Sequence, residues 1–187
     1  ASRARPSGMS DNQAVSWSEF ETRFGKGYVI VRAGKIVRVI LPGKERRDTA
    51  KALLAEGCGP EAAKAGSPAA RFARHLAESF DGKADPSELL KHVEWPALAA
   101  FSDRIQHLCA EIPVGKVRSY GDLAVEAKSP LASRAVGNVM RNNKVPLIIP
   151  CHRVVSSDHP RTVHYGGGAA MKEWLQDKER EFAARAR

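Results

Sequence analysis

The stretch Val145–Val155, VPLIIPCHRVV, sets a cysteine at the end of an apolar run, between a proline and a histidine. A thiol so placed can be an inert core residue, a metal ligand, a redox partner or a nucleophile. The chain has three cysteines, Cys58, Cys109 and Cys151, and no pair at CxxC spacing. Thioredoxin-like redox sites and zinc knuckles need such a pair, so neither is supported. A disulfide framework is not expected in a chain of 187 residues in a reducing compartment. A packed thiol and a nucleophile remain. Free cysteine packs well as a small hydrophobe. The nucleophile is the thiolate, formed from a group of reference pKa about 8.5, and basic neighbours favour it. His152 and Arg153 follow Cys151 directly, and Arg134 and Arg141 lie upstream.

The elements around Cys151 must hold it rigid yet reachable. Val145–Ile149 reads as a buried strand or extended segment, ended by Pro150, which has no N–H to pair. Upstream, Phe101, Ile105, Leu108 and Ile112 recur at helical spacing and define an amphipathic helix that stops at Pro113 and Gly115, with Cys109 packed inside it. Ser119-Tyr120-Gly121-Asp122 opens a short helix, with a serine cap and an acid three residues on. Ser129-Pro130 starts the next, over about 131–142, because serine caps and proline suits a first turn. Two short helices in tight succession suggest helix-turn-helix geometry. The second carries small Ser133, Ala135 and Gly137 beside long Arg134 and Arg141, which are seven apart and share one side. Glycine inside a helix costs about 1 kcal/mol relative to alanine. Its presence points to something approaching the helix backbone, either another helix of the protein or nucleic acid.

The first half is simpler. Gly27–Gly43 reads as two β-rich runs around Ala33-Gly34-Lys35, a hairpin closed by Pro42-Gly43. Residues 44–68 are polar and rich in Ala and Gly, with a short helix at most. Ala69, Phe72, Ala73, Leu76, Ala77 and Phe80 mark one helix face, and DGKADPSE ends it. The division expected is a flexible tail over 1–14, a small α/β domain over 15–94 and a second domain over 95–187. The fold class expected is a small antiparallel sheet plus helices, followed by a mainly α domain with a winged-helix-like helix-turn-helix.

Composition narrows the partners. Hydrophobic residues make up 43% of the chain, enough to bury a core. No apolar run reaches the length of a membrane span, and the opening ASRARPSGMSDNQ lacks the apolar segment of a secretory signal, so a soluble intracellular protein is expected, without membrane contact. The formal charge is +9 and the pI about 9.7. Between Lys116 and Arg161 stand eight Lys or Arg (116, 118, 128, 134, 141, 144, 153, 161) against three acids, Asp122, Glu126 and Asp158. That local excess around the cysteine favours a polyanion. Charge alone also serves solubility, and this reading stays open beside it.

SYGDLA, SRAVGNVMRNNKVPLIIPCHRVV and YGGGAAMKEWLQDKE, taken together and in this order, resemble the O6-alkylguanine-DNA alkyltransferases, the methylated-DNA–protein-cysteine methyltransferases. PCHRV is the hallmark of that family. The resemblance runs from about Phe101 to Glu179; the first half matches only in outline. It implies that Cys151 accepts the alkyl group, that His152 takes the thiol proton through a water, and that Glu179 orients and charges this histidine. Asn143 braces the turn that carries the cysteine. The resemblance further implies minor-groove binding through the helix-turn-helix, with Arg134 as the finger that fills the gap left by a flipped base. Tyr120 helps rotate the nucleotide and donates a proton to the leaving guanine. Small Ser133, Ala135 and Gly137 let the helix seat in a narrow groove, Arg141 lies on the DNA side, and Met140, Pro146, Val154, Tyr165 and Gly166 wall the pocket. A base hidden in the duplex must be extruded, at a cost of a few kcal/mol.

The implied reaction is an in-line displacement that leaves a thioether, so one turnover per molecule is expected, with no cofactor and no metal required. The implied partner is double-stranded DNA containing O6-alkylguanine, bound by a monomer, in the cytoplasm of a prokaryote or the nucleus of a eukaryote. Gly166 stands where some members carry serine, Lys144 replaces a frequent proline and adds charge near the DNA, and the loop SSDHPRTVHYGGG is about one residue longer than the commonest pattern. Some members hold zinc in the first domain; Cys58 has no cysteine partner nearby, and a set with His75 or His92 is not supported by spacing. Two other classes remain. An alkyltransferase-like protein binds lesions without chemistry, but such relatives replace the cysteine, typically with tryptophan. A thiol hydrolase leaves the small-residue helix and the basic stretch unexplained.

Overall fold

The hairpin at Ala33-Gly34 forms, and a third strand joins it. The computed structural model describes residues 15–43, 46–158 and 165–186. The expected tail over 1–14 and the centre of the long loop, 159–164, lie outside them. Strands β1 (Val15–Thr22), β2 (Gly25–Arg32) and β3 (Lys35–Ile40) make one antiparallel sheet in that order. Ala33 and Gly34 both have positive φ, 48° and 76°. This twist suits a two-residue hairpin. β1 was not expected; the alternation of Val15 and Trp17 with Ser16 and Ser18 is the signal that marks it. Gly27 faces Phe20 across the sheet, and a Cβ at 27 would come within 2.3 Å of that ring. Val37 is an extra residue in β3: Ile30 pairs Arg38, but Val31 pairs Ile36.

Both faces of the sheet are covered. Helix α1 (Arg46–Ala55) contributes Ala52 and Leu53 against Ile30, Ile40 and Cys58. Helix α2 (Pro68–Phe80) packs Phe72, Leu76 and Phe80 with Phe20, Val29 and Val31. Its start follows the chemistry of its residues: the Ser67 hydroxyl accepts from the Ala70 N–H, and Pro68 sits in the first turn.

After an irregular segment at 94–99 the chain is mainly helical. Helix α3 (Ala100–Ala110) buries Ile105 and Cys109. Helix α4 (Tyr120–Glu126) opens with a full capping box: the Ser119 hydroxyl accepts from the Asp122 N–H while the Asp122 carboxylate accepts from the Ser119 N–H. Helix α5 (Ser133–Arg141) begins later than Ser129-Pro130 suggests. Ala132 is its N-cap, without a side-chain bond, and the Ser129 carbonyl instead accepts from the Ala132 N–H. Two-residue strands β4 (Arg118–Ser119) and β5 (Val154–Val155) pair in parallel, tying the start of α4 to the residues after Cys151. Helix α6 (Ala169–Arg185) closes the fold; the Trp174 indole donates to the Phe80 carbonyl, and Gly82 fits where a Cβ would lie 2.7 Å from the Lys178 carbonyl.

One buried cluster runs through both halves, from Phe20, Leu76 and Phe80 to Ile105, Val136, Ile148 and Leu175. Among the described residues no helix is long and apolar enough to cross a membrane.

Candidate active site

Val145–Ile149 is not a strand. It is a buried turn, because the Asn143 side chain takes over the pairing that a strand neighbour would supply. The Asn143 amide donates to the Ile149 carbonyl at 2.8 Å, and its oxygen accepts from the Val145 N–H at 3.0 Å. The Ile149 N–H returns to the Val145 carbonyl at 3.0 Å. Leu147 is held at φ 74°, a left-handed conformation costly for a branched residue and maintained only where the surroundings enforce it. The apolar side chains of the turn are its anchor: Val145, Leu147, Ile148 and Ile149 all lie in the core.

The turn delivers Cys151 onto a short 3-10 segment, Cys151–Arg153. Burial pushes the thiol above its ordinary value, against the pull of the Asn143 side chain and the Lys172 charge. The resting group is therefore a thiol, and attack requires a base.

His152 is fully buried, with Nε2 2.7 Å from Glu179 Oε1 and its carbonyl accepting from the Gln176 amide at 2.8 Å. A carboxylate facing Nε2 assigns the proton to that nitrogen, which leaves a lone pair on Nδ1. Nδ1 is buried and has no partner among the described residues. Glu179 also serves Arg153, whose guanidinium donates through Nε to Oε2 and through Nη2 to Oε1, both at 2.8 Å, and through Nη1 to the Ile112 carbonyl. Burial would raise the Glu179 carboxyl, but the histidine and the guanidinium outweigh it and hold the group at about 2. The sequence position of Arg153 suggests a basic neighbour of the thiol and a charge for a polyanion. It is instead 1% exposed and neutralised by Glu179. Nothing in its residue type announces this direction.

A cavity of about 270 Å³ opens over Cys151. Tyr120, from α4, and Met140, from α5, form one side; Pro146, Tyr165 and Gly166 form another. Val154 is not in the lining. It is fully buried in β5, and its carbonyl accepts from Lys172 Nζ at 2.7 Å. The residue that completes the wall is Leu41, directly after β3 in the first half, together with Arg141 and Asn143. Leu41 carries no chemical signal in sequence. Burial raises Tyr120, with the nearby thiols adding to it, so the phenol keeps its proton. Tyr165 is pushed up further, also by burial, and its hydroxyl has no partner among the described residues. Lys172, another buried group not expected, is lowered by desolvation.

α5 presents Ser133, Arg134, Asn138 and Arg141 outward and packs Val136, Val139 and Met140 inward. Ala135 and Gly137 are half-buried. A Cβ built on Gly137 meets no atom within 4 Å. Close crossing by another helix of the protein therefore does not explain this glycine.

Cys58, His75 and His92 do not converge. Cys58 packs on the outer sheet face, His75 Nε2 contacts the Asp85 carbonyl, and His92 lies against the Phe72 ring. Among the described residues no group of three His, Cys, Asp or Glu is placed to hold a metal.

Residues 100–181 match the family described as 6-O-methylguanine DNA methyltransferase, DNA binding domain. The chain is 53% identical over 64 residues to the methylated-DNA–protein-cysteine methyltransferase of Homo sapiens, covering 34% of this chain and 30% of that protein. To the protein of that name from Methanosarcina barkeri it is 38% identical over 103 residues, covering 55% of this chain and 63% of the other. The chain thus spans about a third of the length of the mammalian relative and under two thirds of the archaeal one. The crystal structure of Mycobacterium tuberculosis O6-methylguanine methyltransferase has the same fold, with a TM-score of 0.67 at 23% identity over 90% of this chain and 94% of that one.

Proposed function

We propose, from the premise that residues 100–181 belong to the 6-O-methylguanine DNA methyltransferase family, that this chain repairs DNA by moving a methyl or larger alkyl group from O6 of guanine to Cys151. The observation that carries the proposal is the cavity over a buried thiol, backed by a histidine whose only unpartnered nitrogen is Nδ1. His152 Nδ1 accepts the thiol proton, by way of a water, and Glu179 steadies the imidazolium across 2.7 Å. The thiolate attacks the alkyl carbon in line; the C–O6 bond breaks as the S–C bond forms. Tyr120, still protonated, gives its proton to the leaving guanine. The product is a thioether. Among the described residues of the site no group offers a hydrolytic second step, so each molecule reacts once.

Reaching the thiol requires the nucleotide to leave the duplex. α5 is the element suited to the minor groove: small residues at 133, 135 and 137 admit close approach, Arg134 fills the vacated position, and Arg141 faces the strand at the cavity edge. The open space beside Gly137 supports an external contact there.

The test is an intact mass measured after mixing the protein with duplex DNA carrying O6-methylguanine. The expected result is a gain of one methyl, located on the Cys151 peptide and absent in Cys151→Ala. Tight binding with no mass change would favour a lesion-binding protein without transfer, and turnover of an ester would favour a thiol hydrolase.

A further inference from the structure

Beside the Cys151 cavity lies a second, larger space of about 490 Å³, between β3 and α1 on one side and the end of α5 with its following turn on the other. The two spaces share Leu41, Arg141, Asn143, Pro146 and Gly166 as walls. Gly166 borders both, and a Cβ there would lie 3.8 Å from the Leu41 Cδ1. The far space has a charge bias. Arg38, Arg141 and Lys144 line it against Asp48 alone among the described residues. Arg38 pairs with Glu56 through Nη1 at 3.2 Å, and Arg32, which Glu56 also holds, pairs in turn with Glu94, so these four charges balance and Arg38 brings to the cleft its remaining N–H donors rather than a free charge. Lys144 and Arg141 have no acidic partner among the described residues.

We propose that this cleft continues the lesion pocket and receives the far end of a long O6 substituent that terminates in a carboxylate. The inference rests on Cys151 being the alkyl acceptor. The first carbon of the chain sits at the thiol, the apolar links pass Pro146 and Leu41, and the terminal carboxylate meets Lys144 and Arg38. The bond broken is that between O6 and the first carbon, and the bond formed joins that carbon to sulfur. The proton leaves on guanine, and the carboxylate takes no part in the exchange. A methyl group ends at the thiol, so a contact between a terminal carboxylate and these cations is open to long substituents alone.

The experiment uses the full chain and three duplexes, carrying O6-methylguanine, O6-butylguanine and O6-(3-carboxypropyl)guanine, with single-turnover rates read by intact mass. Butyl and carboxypropyl have the same reach and differ in the terminal group. The expected result is transfer of carboxypropyl about fivefold faster than butyl, the scale of partly exposed ion pairs. In Arg38→Ala that ratio falls toward one while methyl transfer keeps its rate. In Lys144→Ala the ratio also falls, and because it compares two duplexes within one variant, any general loss of DNA affinity cancels. A ratio of one or less in the unaltered protein, or a ratio that neither substitution changes, overturns the inference. Absence of methyl transfer overturns the acceptor reading itself.

Discussion

At the residue scale the site turns on Glu179, which one carboxylate spends on two partners. Glu179→Gln leaves Arg153 buried without a counter-charge, and such losses cost about 3–5 kcal/mol. Urea denaturation at neutral pH reads this directly, and a loss under 1 kcal/mol would mean that the pair is not closed in solution. The same residue gives an acid limb. Its folded value, about 2, lies below the unfolded value of about 4.3. Between these values the unfolded chain binds more protons, so stability rises with pH there; it is complete above the unfolded value and lost as pH falls through the folded one. Glu179→Gln therefore has a shallower decline between about pH 4.5 and 2, seen as a smaller drop in urea midpoint. Cys151 and His152 were legible in sequence because their types and adjacency carry chemistry, and Glu179 because the family resemblance reaches it. Arg153, Lys172 and Leu41 were not, because burial and direction decide their roles, and neither is written in a side chain's type.

At the scale of elements, α5 carries two predictions. Arg134→Ala is expected to slow repair in duplex DNA by at least tenfold while leaving reaction with free O6-benzylguanine unchanged; equal losses would remove its part in extruding the base. Gly137→Ala separates folding from binding. Its Cβ meets nothing in the protein, so the gain in helix propensity, about 1 kcal/mol, is free to raise the Tm by about 2–4 °C. Duplex affinity falls in the same variant if the helix backbone seats against DNA. A raised Tm with unaltered affinity would show that nothing presses on that face. Helices α2 to α5 were readable from periodicity and caps, down to the Ser119–Asp122 box, whereas α6, the longest, was not assigned from sequence. The start of α5 was misplaced because a serine before a proline is a cap only if its hydroxyl points back, and here the backbone of Ser129 makes the turn instead. Val145–Ile149 was misread for a related reason: an apolar run shows that a segment is buried, and Asn143 decides that it turns.

At the scale of the molecule, the boundary expected near residue 94 falls in an irregular segment, yet the halves are joined by one core. Thermal unfolding of the full chain is expected as one transition, with calorimetric and van't Hoff enthalpies in agreement. Two resolved transitions would mean that the shared cluster does not couple the halves. The sheet was only partly legible: β1 carries the alternation of a strand, but it follows directly on the polar opening stretch, and its pairing with β2 is what makes it one.

The link between the halves is finer than a shared core. The Val39 N–H donates to the Lys144 carbonyl at 2.8 Å, so β3 grips the turn that leads to Cys151, and Leu41 enters the cavity two residues later. Which residues occupy those places depends on strand phase. The bulge at Val37 lets Arg38 pair Ile30; an unbroken ladder from the hairpin would advance the strand by one, setting Arg38 where Val39 stands and turning the face of every residue after it. The shape of the Cys151 cavity is thus set in part by a register choice in a hairpin some hundred positions away in sequence, and an insertion or deletion there would retune the size of what the cavity admits without touching Cys151, His152 or Glu179.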